Sequence, residues 1–337
     1  MLPFTVYVTR PIPAEGIELL RQSIQTVEVR KEEDPPTKEE LVHRIKGVDA
    51  LLCLLTDRID LDVIEAGRRL RVIANYAVGY DNIDVEAATR KGVMVTNTPG
   101  VLTETTADMA WCLLMAVARR VVEADSYVRR GQFKRWEPML LLGSDVYGKT
   151  LGIVGMGRIG RAVARRAMGF GMKILYYSPR RAYEVEKETG ARYVDLPTLL
   201  KNADFVTLHT PLTAATRHMI GSEELEMMKP TSYLINTSRG AVVDEAALVK
   251  ALKKGLIAGA ALDVYENEPK LSEGLAELSN VVLTPHIGSA SRETRTRMAL
   301  MAAQNIVSAL SGERPPNLVN PEVLAKGQGS GRGRTGS

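Results

Sequence analysis

Short apolar runs alternate with amphipathic segments along most of the chain. The first runs have the length and β-branched content of buried strands, at 4–8, 26–29, 50–55, 71–76 and 93–96. The segments between them have the apolar spacing of amphipathic helices, at 14–22, 38–46 and 85–90. Strands that alternate with helices in this way predict βαβ units and a mostly parallel sheet.

The alternation stops after residue 100 and begins again near residue 151. Between them a long helix is predicted over 103–130, because its apolar positions are continuous enough for burial on several sides. Further strands are predicted at 151–154, 173–177, 205–208, 234–237, 258–262 and 281–284. The last predicted helix covers 292–310, and no strand follows it, so we expect it to return to the first domain.

The sequence thus predicts an α/β protein with two Rossmann-like, doubly wound parallel-sheet domains. The first domain is expected to be discontinuous, formed by residues 1–99 and 288–320, with the second domain, 100–287, inserted into it. Residues 325–337 are rich in Gly, Ser, Arg and Lys and lack an apolar anchor, which predicts a flexible tail.

Composition narrows the class of protein. The 337 residues fit two domains, and 45% hydrophobic with 25% charged residues exclude a largely disordered chain. The basic excess is only 44 − 40 = 4 charges and is spread along the chain, which gives little support to nucleic-acid binding. The longest apolar run, 109–118, is too short to span a membrane, and the N-terminus lacks the basic region and the apolar stretch of a signal peptide. We therefore expect a cytoplasmic protein with neither a nucleic-acid nor a membrane partner.

The chain has two cysteines, Cys53 and Cys112, and both lie in apolar runs. Two cysteines are too few to form a zinc cluster alone, and buried thiols are more typical of such positions than a disulfide. The sequence predicts no metal site.

A glycine-rich turn directly follows the predicted strand 151–154. Its sequence is Gly155-Met156-Gly157-Arg158-Ile159-Gly160, and it opens a predicted helix over 161–167. Such glycines allow a tight turn, a close approach of the backbone to a pyrophosphate and close packing of helix on strand, and the helix N-terminus favours phosphate. A glycine-rich turn that binds nothing is the alternative, but the order of strand, glycines and helix favours a dinucleotide site.

The end of the next strand distinguishes NADP from NAD. The residues there are Ser178-Pro179-Arg180-Arg181, at the position where an NAD-selective site normally has Asp or Glu for the ribose hydroxyl groups. Two guanidinium groups and a hydroxyl group favour a 2′-phosphate instead. An exposed basic loop is the alternative. We predict that NADP(H) is preferred and that NAD(H) is possible.

Elimination among the four histidines favours His286 as a general acid. His43 lies in a polar helix and His218 in a turn, while His209 ends a strand where it either contacts a cofactor or caps the strand. His286 follows the strand 281–284, beyond the carboxyl end, where open α/β sheets bind their ligands.

Two other strand ends lead into residues with suitable chemistry. Arg239 follows the strand 234–237, and the carboxylate-rich segment 263–269 follows the strand 258–262. Hydride transfer to a 2-oxo acid needs a guanidinium group for the substrate, an imidazolium to protonate the alkoxide and a carboxylate to orient the imidazole. Spacing alone equally allows three unrelated surface residues.

Several motifs resemble the D-isomer-specific 2-hydroxyacid dehydrogenase family, at 77–84, 155–160, 235–243, 263–269 and 284–289. Within that family the chain looks most like the glyoxylate reductases of archaea. The resemblance implies a flavodoxin-like substrate-binding domain, an inserted NAD(P)-binding Rossmann domain and a homodimer. It implies NAD(P)H-dependent reduction of glyoxylate and hydroxypyruvate, which are small 2-oxo acids. Alternatives are a phosphoglycerate or phosphite dehydrogenase of the same family and a dinucleotide-sensing, corepressor-like binding protein.

The resemblance also implies roles for individual residues. The implied catalytic residues are Arg239, Glu268 and His286, with Glu268 holding His286 protonated as the proton donor. The substrate-binding residues implied are the backbone N–H groups of Val78 and Gly79, with Leu54 lining the pocket and Trp136 reaching it, often across a dimer interface. The residues expected along the nicotinamide are Thr106, Thr237, Ser238 and Asp263.

Overall fold

A computed structural model describes residues 1–327 of the chain, which form two compact units. The first unit comprises Met1–Leu102 and the described residues from Ser291 onward, and the second is Thr103–Ala290. Each unit contains one parallel sheet with helices on both faces. The predicted α/β fold class is confirmed.

The first unit has a five-stranded sheet in the order β2-β1-β3-β4-β5. Its strands are β1 (Leu2–Val8), β2 (Ile24–Val29), β3 (Ala50–Cys53), β4 (Val72–Asn75) and β5 (Met94–Thr96). Its first helices are α1 (Ala14–Ser23), α2 (Lys38–Arg44), α3 (Leu61–Ala66) and α4 (Val85–Lys91), with a 3₁₀ turn at Ile45–Gly47. The strand order is that of flavodoxin-like sheets, whose ligands bind beyond the carboxyl ends of β1 and β3.

The second unit has a seven-stranded sheet in the order β12-β11-β10-β9-β6-β7-β8. Its strands are β6 (Thr150–Val154), β7 (Lys173–Tyr177), β8 (Arg192–Tyr193), β9 (Phe205–Leu208), β10 (Tyr233–Asn236), β11 (Gly259–Leu262) and β12 (Val281–Leu283). Its helices are α5 (Thr103–Ala118), α6 (Val121–Arg129), α7 (Arg158–Gly169), α8 (Tyr183–Thr189), α9 (Leu196–Asn202), α10 (Ser222–Met227) and α11 (Glu245–Lys254), with a 3₁₀ turn at Gly240–Val242. The strand order reverses between β6 and β9, which is where dinucleotides bind in this topology.

Burial on both faces explains why most strands are continuous apolar runs. On one face of the second sheet, Trp111 of α5 and Val163 of α7 belong to one buried cluster. On the other face, Leu199 of α9 and Leu248 of α11 belong to another. Such a sheet exposes only its edges, so the polar residues that follow its strands gather at the carboxyl edge.

The chain returns to the first unit through α12 (Arg292–Leu310) and α13 (Glu322–Gly327). A Cβ added at Gly16 of α1 would lie 2.7 Å from the Cβ of Ala299, so α1 and α12 pack with almost no gap. The hydroxyl group of Tyr76 donates to the backbone carbonyl of Arg295 at 2.7 Å. These contacts make α12 part of the first unit's core.

The predicted single helix over 103–130 is wrong. The chain turns at Arg120, which has a left-handed φ of 53°, and this turn separates α5 from α6. None of the α6 residues is buried, so the apolar content of this segment did not indicate burial. Apolar residues in a helix can cover a core or a surface, and their spacing alone does not distinguish the two.

The expectation of two buried thiols is correct for Cys53 and wrong for Cys112, which is exposed. Cys112 lies one turn after the exposed Asp108, on the face of α5 that is turned away from the sheet. The predicted tail also begins too early, because residue 325 belongs to α13. The rest of that tail, from residue 328 onward, lies outside the described residues.

Two features are absent from residues 1–327. No helix there is both long and apolar enough to cross a bilayer. That part of the chain also holds no group of three or more His, Cys, Asp and Glu side chains that could bind a metal ion.

Candidate active site

His286 and Glu268 form a hydrogen-bonded pair at the carboxyl edge of the second sheet. His286 follows the end of β12, and Glu268 lies in the loop after β11. The Nδ1 atom of His286 is 2.8 Å from Oε2 of Glu268. Their side chains are 26% and 24% exposed, so the pair is partly shielded from water and still accessible to a ligand.

The pKa of Glu268 is lowered although the residue is partly buried. Burial alone would raise this pKa, but the hydrogen bond and charge of His286, the N–H group of Tyr265 and the charge of Arg239 together outweigh it. The N–H group of Tyr265 donates to Oε1 of Glu268 at 2.9 Å. Because the carboxylate is ionised at neutral pH, Nδ1 of His286 carries a hydrogen, and Nε2 is the nitrogen left for a substrate.

Arg239 follows β10 in a turn that Asn236 organises. The Oδ1 atom of Asn236 accepts hydrogen bonds from the N–H and hydroxyl groups of Ser238 at 3.0 and 2.8 Å. Its Nδ2 donates to the carbonyl group of Arg239 at 2.9 Å. The next residue is Gly240, where an added Cβ would lie 1.8 Å from the carbonyl carbon of Tyr265. Only glycine allows the Arg239 turn to lie against the loop that carries the carboxylate.

His286 has an unusual backbone conformation. Its φ is 54°, in the left-handed region that residues other than glycine seldom adopt. Asp263, which is 1% exposed, stabilises the segment around it. Oδ1 of Asp263 accepts from the hydroxyl group of Thr284 at 2.6 Å and from the N–H of Ile287 at 2.8 Å, and Oδ2 accepts from the N–H of Gly288 at 2.7 Å. Asp263 therefore supports the histidine, and its contact with a nicotinamide stays a prediction.

The glycine-rich turn has the close contacts that its sequence predicts. Gly155 has a φ of 99°, and an added Cβ would lie 2.7 Å from the carbonyl carbon of His209. A Cβ at Gly160 would lie 2.1 Å from the carbonyl oxygen of Gly155. Above Gly157, by contrast, the described residues leave a Cβ open space. Helix α7 begins at Arg158, three residues earlier than predicted, so the N–H groups of its first turn face this open space.

Three buried polar atoms at the ends of β9 and β10 have no hydrogen-bond partner among the described residues. They are Nδ1 of His209 and the hydroxyl oxygens of Thr210 and Thr237. Burial lowers the pKa of His209 to about 3, so its ring is neutral, and its Nε2 lies 2.9 Å from the hydroxyl of Thr207. Buried polar atoms are normally paired, so these atoms fit a polar ligand. Together with the glycine-rich turn, they fit a dinucleotide.

His209 and Thr210 were not among the predicted site residues. The sequence did not decide between two roles for His209, a cofactor contact and a strand cap. For both His209 and Thr210, the only indication of a role in the site was a position directly after a buried strand. The predicted residue Met156 is buried in the apolar core, and Ile159 packs against the same core. Thr106 is buried beside Gly288, where an added Cβ would lie 3.5 Å from its methyl group.

The two arginines after β7 differ in their contacts. Arg181 binds both carboxylate oxygens of Glu186, at 2.8 and 3.0 Å, and its guanidinium lies 4.8 Å from the ring of Tyr183. Arg180 is exposed and has no ion-pair partner within residues 1–327. Ser178 is half-buried and Pro179 is exposed. Arg180 is therefore the arginine that is available for a phosphate.

The predicted substrate-binding residues of the first unit lie on two loops, one with Leu54 and the other with Val78 and Gly79. Side-chain hydrogen bonds of two asparagines connect these loops. Asn75 is fully buried, and its Nδ2 donates to the carbonyl of Gly79 at 2.8 Å and to Oδ1 of Asn82 at 3.0 Å. Asn82 in turn donates to the carbonyl of Leu54 at 3.1 Å. The N–H groups of Val78 and Gly79 have no acceptor in the described part of the chain. Trp136, in the second unit, is 79% exposed.

This combination of a Rossmann sheet, a dinucleotide turn and a histidine–carboxylate pair defines a class of nicotinamide-dependent oxidoreductases. A family described as "D-isomer specific 2-hydroxyacid dehydrogenase, NAD binding domain" matches residues 111–288. The chain belongs to this family, and it is an NAD(P)-dependent 2-hydroxyacid dehydrogenase.

Individual relatives are similar over nearly the whole chain. The glyoxylate reductase of Korarchaeum cryptofilum is 60% identical over 321 residues, which cover 95% of this chain and 96% of that protein. A crystal structure of a Thermus thermophilus protein shares 48% identity and a TM-score of 0.88, covering 94% of this chain and 99% of that one. The NADPH-dependent glyoxylate/hydroxypyruvate reductase of Sinorhizobium meliloti, solved with NADP and malonate, shares 34% identity and a TM-score of 0.84, covering 96% and 98%.

Proposed function

We propose that this enzyme reduces glyoxylate, and also hydroxypyruvate, to the 2-hydroxy acid with NADPH as the preferred reductant. The hydrogen bond between His286 and Glu268, 2.8 Å long, is the observation that carries the proposal, because it provides an oriented proton donor beside Arg239. The relatives in Korarchaeum cryptofilum and Sinorhizobium meliloti are a glyoxylate reductase and a glyoxylate/hydroxypyruvate reductase, which supports these substrates.

The three residues have different tasks. When bound, the nicotinamide supplies a hydride to the carbonyl carbon of the 2-oxo acid. The guanidinium group of Arg239 binds the substrate and stabilises the charge that develops on the carbonyl oxygen. His286 donates the proton from Nε2 to this oxygen, and Glu268 orients the imidazole through Nδ1 and stabilises its positive charge.

The surrounding residues complete the proposal. Phosphate binding is assigned to the glycine-rich turn of Gly155, Gly157 and Gly160. The residues that we propose along the nicotinamide are Thr106, Thr237, Ser238 and Asp263. Contact of Leu54, Val78, Gly79 and Trp136 with the substrate stays a prediction.

Initial rates test the proposed function directly. We expect the highest kcat/KM with glyoxylate and NADPH, followed by hydroxypyruvate. Assays with phosphohydroxypyruvate and the reduced cofactor, and with phosphite and the oxidised cofactor, test the two alternative dehydrogenase activities of the family. A higher kcat/KM with either would overturn the choice of substrate. Quenching of NADPH fluorescence without turnover on any 2-oxo acid would instead favour a dinucleotide-sensing binding protein.

The Glu268→Gln substitution should change the pH dependence of reduction. Because the pKa of Glu268 is lowered, its carboxylate stays charged at every pH above the usual glutamate value of about 4.3, and its support of His286 is lost only below it. Without that charge the imidazolium is less stable, so the pH at which the rate falls to half should move about 1–3 pH units lower. Rates of glyoxylate reduction from pH 5 to 9 measure this shift, and an unchanged profile would contradict the role of Glu268.

The two arginines after β7 should respond differently to substitution. We expect Arg180→Ala to raise the KM for NADPH about tenfold to a hundredfold, which corresponds to the loss of a charge-assisted hydrogen bond of about 1.5–3 kcal/mol. The KM for NADH should stay within about twofold, because NADH has no 2′-phosphate. Arg181→Ala is the matched control with a smaller expected effect, since Glu186 already binds that guanidinium at 2.8 and 3.0 Å. The opposite ranking of the two variants would refute the assignment.

A homodimer is the proposed assembly. Val122, Phe133, Trp136 and Met139 are 52%, 56%, 79% and 76% exposed, and such apolar surfaces are usually covered by a partner. A second copy of this chain is the occupant that the family resemblance implies. Sedimentation velocity should give a dimer, which Trp136→Glu combined with Met139→Glu should convert to a monomer. Leu61→Glu, a control on the first unit, should leave the dimer unchanged. A monomeric unsubstituted protein would disprove this assembly.

A further inference from the structure

Glu245 is a buried carboxylate that the proposed mechanism does not use. It is the first residue of α11 and is 2% exposed. Its Oε1 accepts a hydrogen bond from the N–H of Glu266 at 2.5 Å, and its Oε2 accepts one from the N–H of Ser272 at 3.3 Å. Burial of a charged group is costly unless hydrogen bonds compensate, and the start of a helix favours a negative charge only modestly. The two N–H groups that bind the carboxylate of Glu245 therefore indicate its structural role.

Both N–H groups belong to the loop that carries Glu268. Residues 266–272 form this segment, the Glu268 loop. Glu245 binds one end of the loop at Glu266 and the other at Ser272, and Glu268 lies between them. Within the loop, the N–H of Lys270 donates to the carbonyl of Asn267 at 2.9 Å. The side chain of Glu245 thus binds the backbone of the loop on both sides of Glu268.

The neighbouring contacts connect the Glu268 loop to the other catalytic residues. The hydroxyl group of Tyr265, just before the loop, donates to the carbonyl of Thr284 at 2.9 Å, two residues before His286. The backbone of Tyr265 lies against Gly240, beside Arg239, with no room for a Cβ. A shift of the Glu268 loop would therefore change the distance between the carboxylate and the imidazole.

We infer that Glu245 is a positioning residue, which holds the Glu268 loop so that the carboxylate of Glu268 meets Nδ1 of His286. The inference rests on the proposed function, because that alignment matters only if His286 protonates the substrate. Other charged or titratable groups also lie at this loop: Lys270 belongs to it, Arg217 and His218 bind the side chain of Glu266 at 3.2 and 2.6 Å, and the positive charge of Arg239 stabilises the carboxylate of Glu268.

The Glu245→Gln substitution tests this inference with almost no change in volume. The amide oxygen can accept one of the two N–H groups, but the amide nitrogen cannot accept the other, so one end of the loop is released. We expect kcat for glyoxylate to fall about 10- to 100-fold, as for a misplacement of catalytic groups, with the KM for NADPH within about twofold. The pH of half-maximal rate should move in the same direction as in Glu268→Gln, which a general loss of stability would not cause.

Glu224→Gln is the matched control. Glu224 also accepts a backbone N–H, from Gly221 at 3.0 Å at the start of α10, but it does not contact the Glu268 loop. It should leave kcat and the pH profile unchanged. Thermal unfolding verifies that each variant is folded at the assay temperature. If Glu245→Gln does not fold, Glu245→Asp keeps the charge on a shorter side chain and should give an intermediate loss of kcat with the same direction of pH shift.

A double-mutant cycle separates this inference from the proposed function. If Glu245 acts through Glu268, the variant with both Glu245→Gln and Glu268→Gln should have the kcat of Glu268→Gln alone within about twofold. A further tenfold loss in the double variant, or an unchanged pH profile in Glu245→Gln, would overturn the inference. Full activity of Glu268→Gln would overturn the proposed mechanism itself. Loss of activity in Glu268→Gln with normal activity in Glu245→Gln would overturn only the inference.

Discussion

Replacement of His286 by alanine should lower kcat for glyoxylate reduction by about 10²–10⁴-fold, while the KM for NADPH stays within about twofold. The reason is that, within the described residues, no other histidine of the second unit both follows a strand end and lies within hydrogen-bond distance of a carboxylate, as His286 does at 2.8 Å from Glu268. The glycine-rich turn and the buried polar atoms of β9 and β10 do not involve His286, so the dinucleotide should still bind. Steady-state kinetics and a fluorescence titration with NADPH measure the two effects.

A second variant separates the lost proton from a change in the backbone. His286 has a φ of 54°, and asparagine tolerates this region better than alanine does. His286→Asn should therefore keep the loop in place and still lose at least about 10²-fold in kcat. His218→Ala is the matched control, because His218 also has a positive φ of 51° and lies 2.6 Å from a glutamate, Glu266. It should retain kcat within about threefold, and an equal loss in both histidine variants would contradict the assignment of His286.

The sequence predicted the parts of the fold that depend on local patterns. The bounds predicted for β9 and α12 agree with Phe205–Leu208 and Arg292–Leu310 to the residue. Both segments have clear ends in the sequence, and most other strands differ from prediction by one or two residues. The glycine-rich turn was equally clear, because the strand, the three glycines and the helix follow one another within one βα unit of the sequence.

Features that depend on distant contacts could not be predicted in this way. The break at Arg120 requires a left-handed residue, and arginine at that position gives no sequence indication of one. The exposure of Cys112 depends on which face of α5 meets the sheet. In both cases apolar content was taken as a sign of burial, whereas only the packed structure determines which apolar residues are covered.

The same limit applies to the candidate site. Strand ends identified Arg239 and His286, and family resemblance was needed to choose Glu268 among the carboxylates of 263–269. Glu245 could not be found, because a glutamate at the start of a helix is an ordinary choice for helix stability. Its contacts with Glu266 and Ser272 join residues 21 and 27 positions apart, and no local pattern predicts them.

Replacement of Arg239 by alanine should lower kcat/KM for glyoxylate by about 10²–10³-fold. Arg239 follows β10 in the turn held by Asn236, and its positive charge helps to lower the pKa of Glu268. In the proposed mechanism its guanidinium binds the substrate and stabilises charge on the carbonyl oxygen. The alanine variant loses both contributions, so both kcat and KM for glyoxylate should worsen, while the KM for NADPH should change little.

Two further measurements show whether the shape of the guanidinium matters as well as its charge. Arg239→Lys keeps the charge but lacks the planar pair of donors, so it should recover only part of the activity. Guanidinium chloride added to Arg239→Ala should raise the rate in a saturable manner, because a free guanidinium ion can occupy the vacated position. Arg217→Ala is the control, since Arg217 binds Glu266 at 3.2 Å and is not assigned to the substrate, and its kcat/KM should stay within about threefold. Full activity of Arg239→Lys would mean that a point charge is sufficient, and the two-donor contact with the substrate would then have to be abandoned.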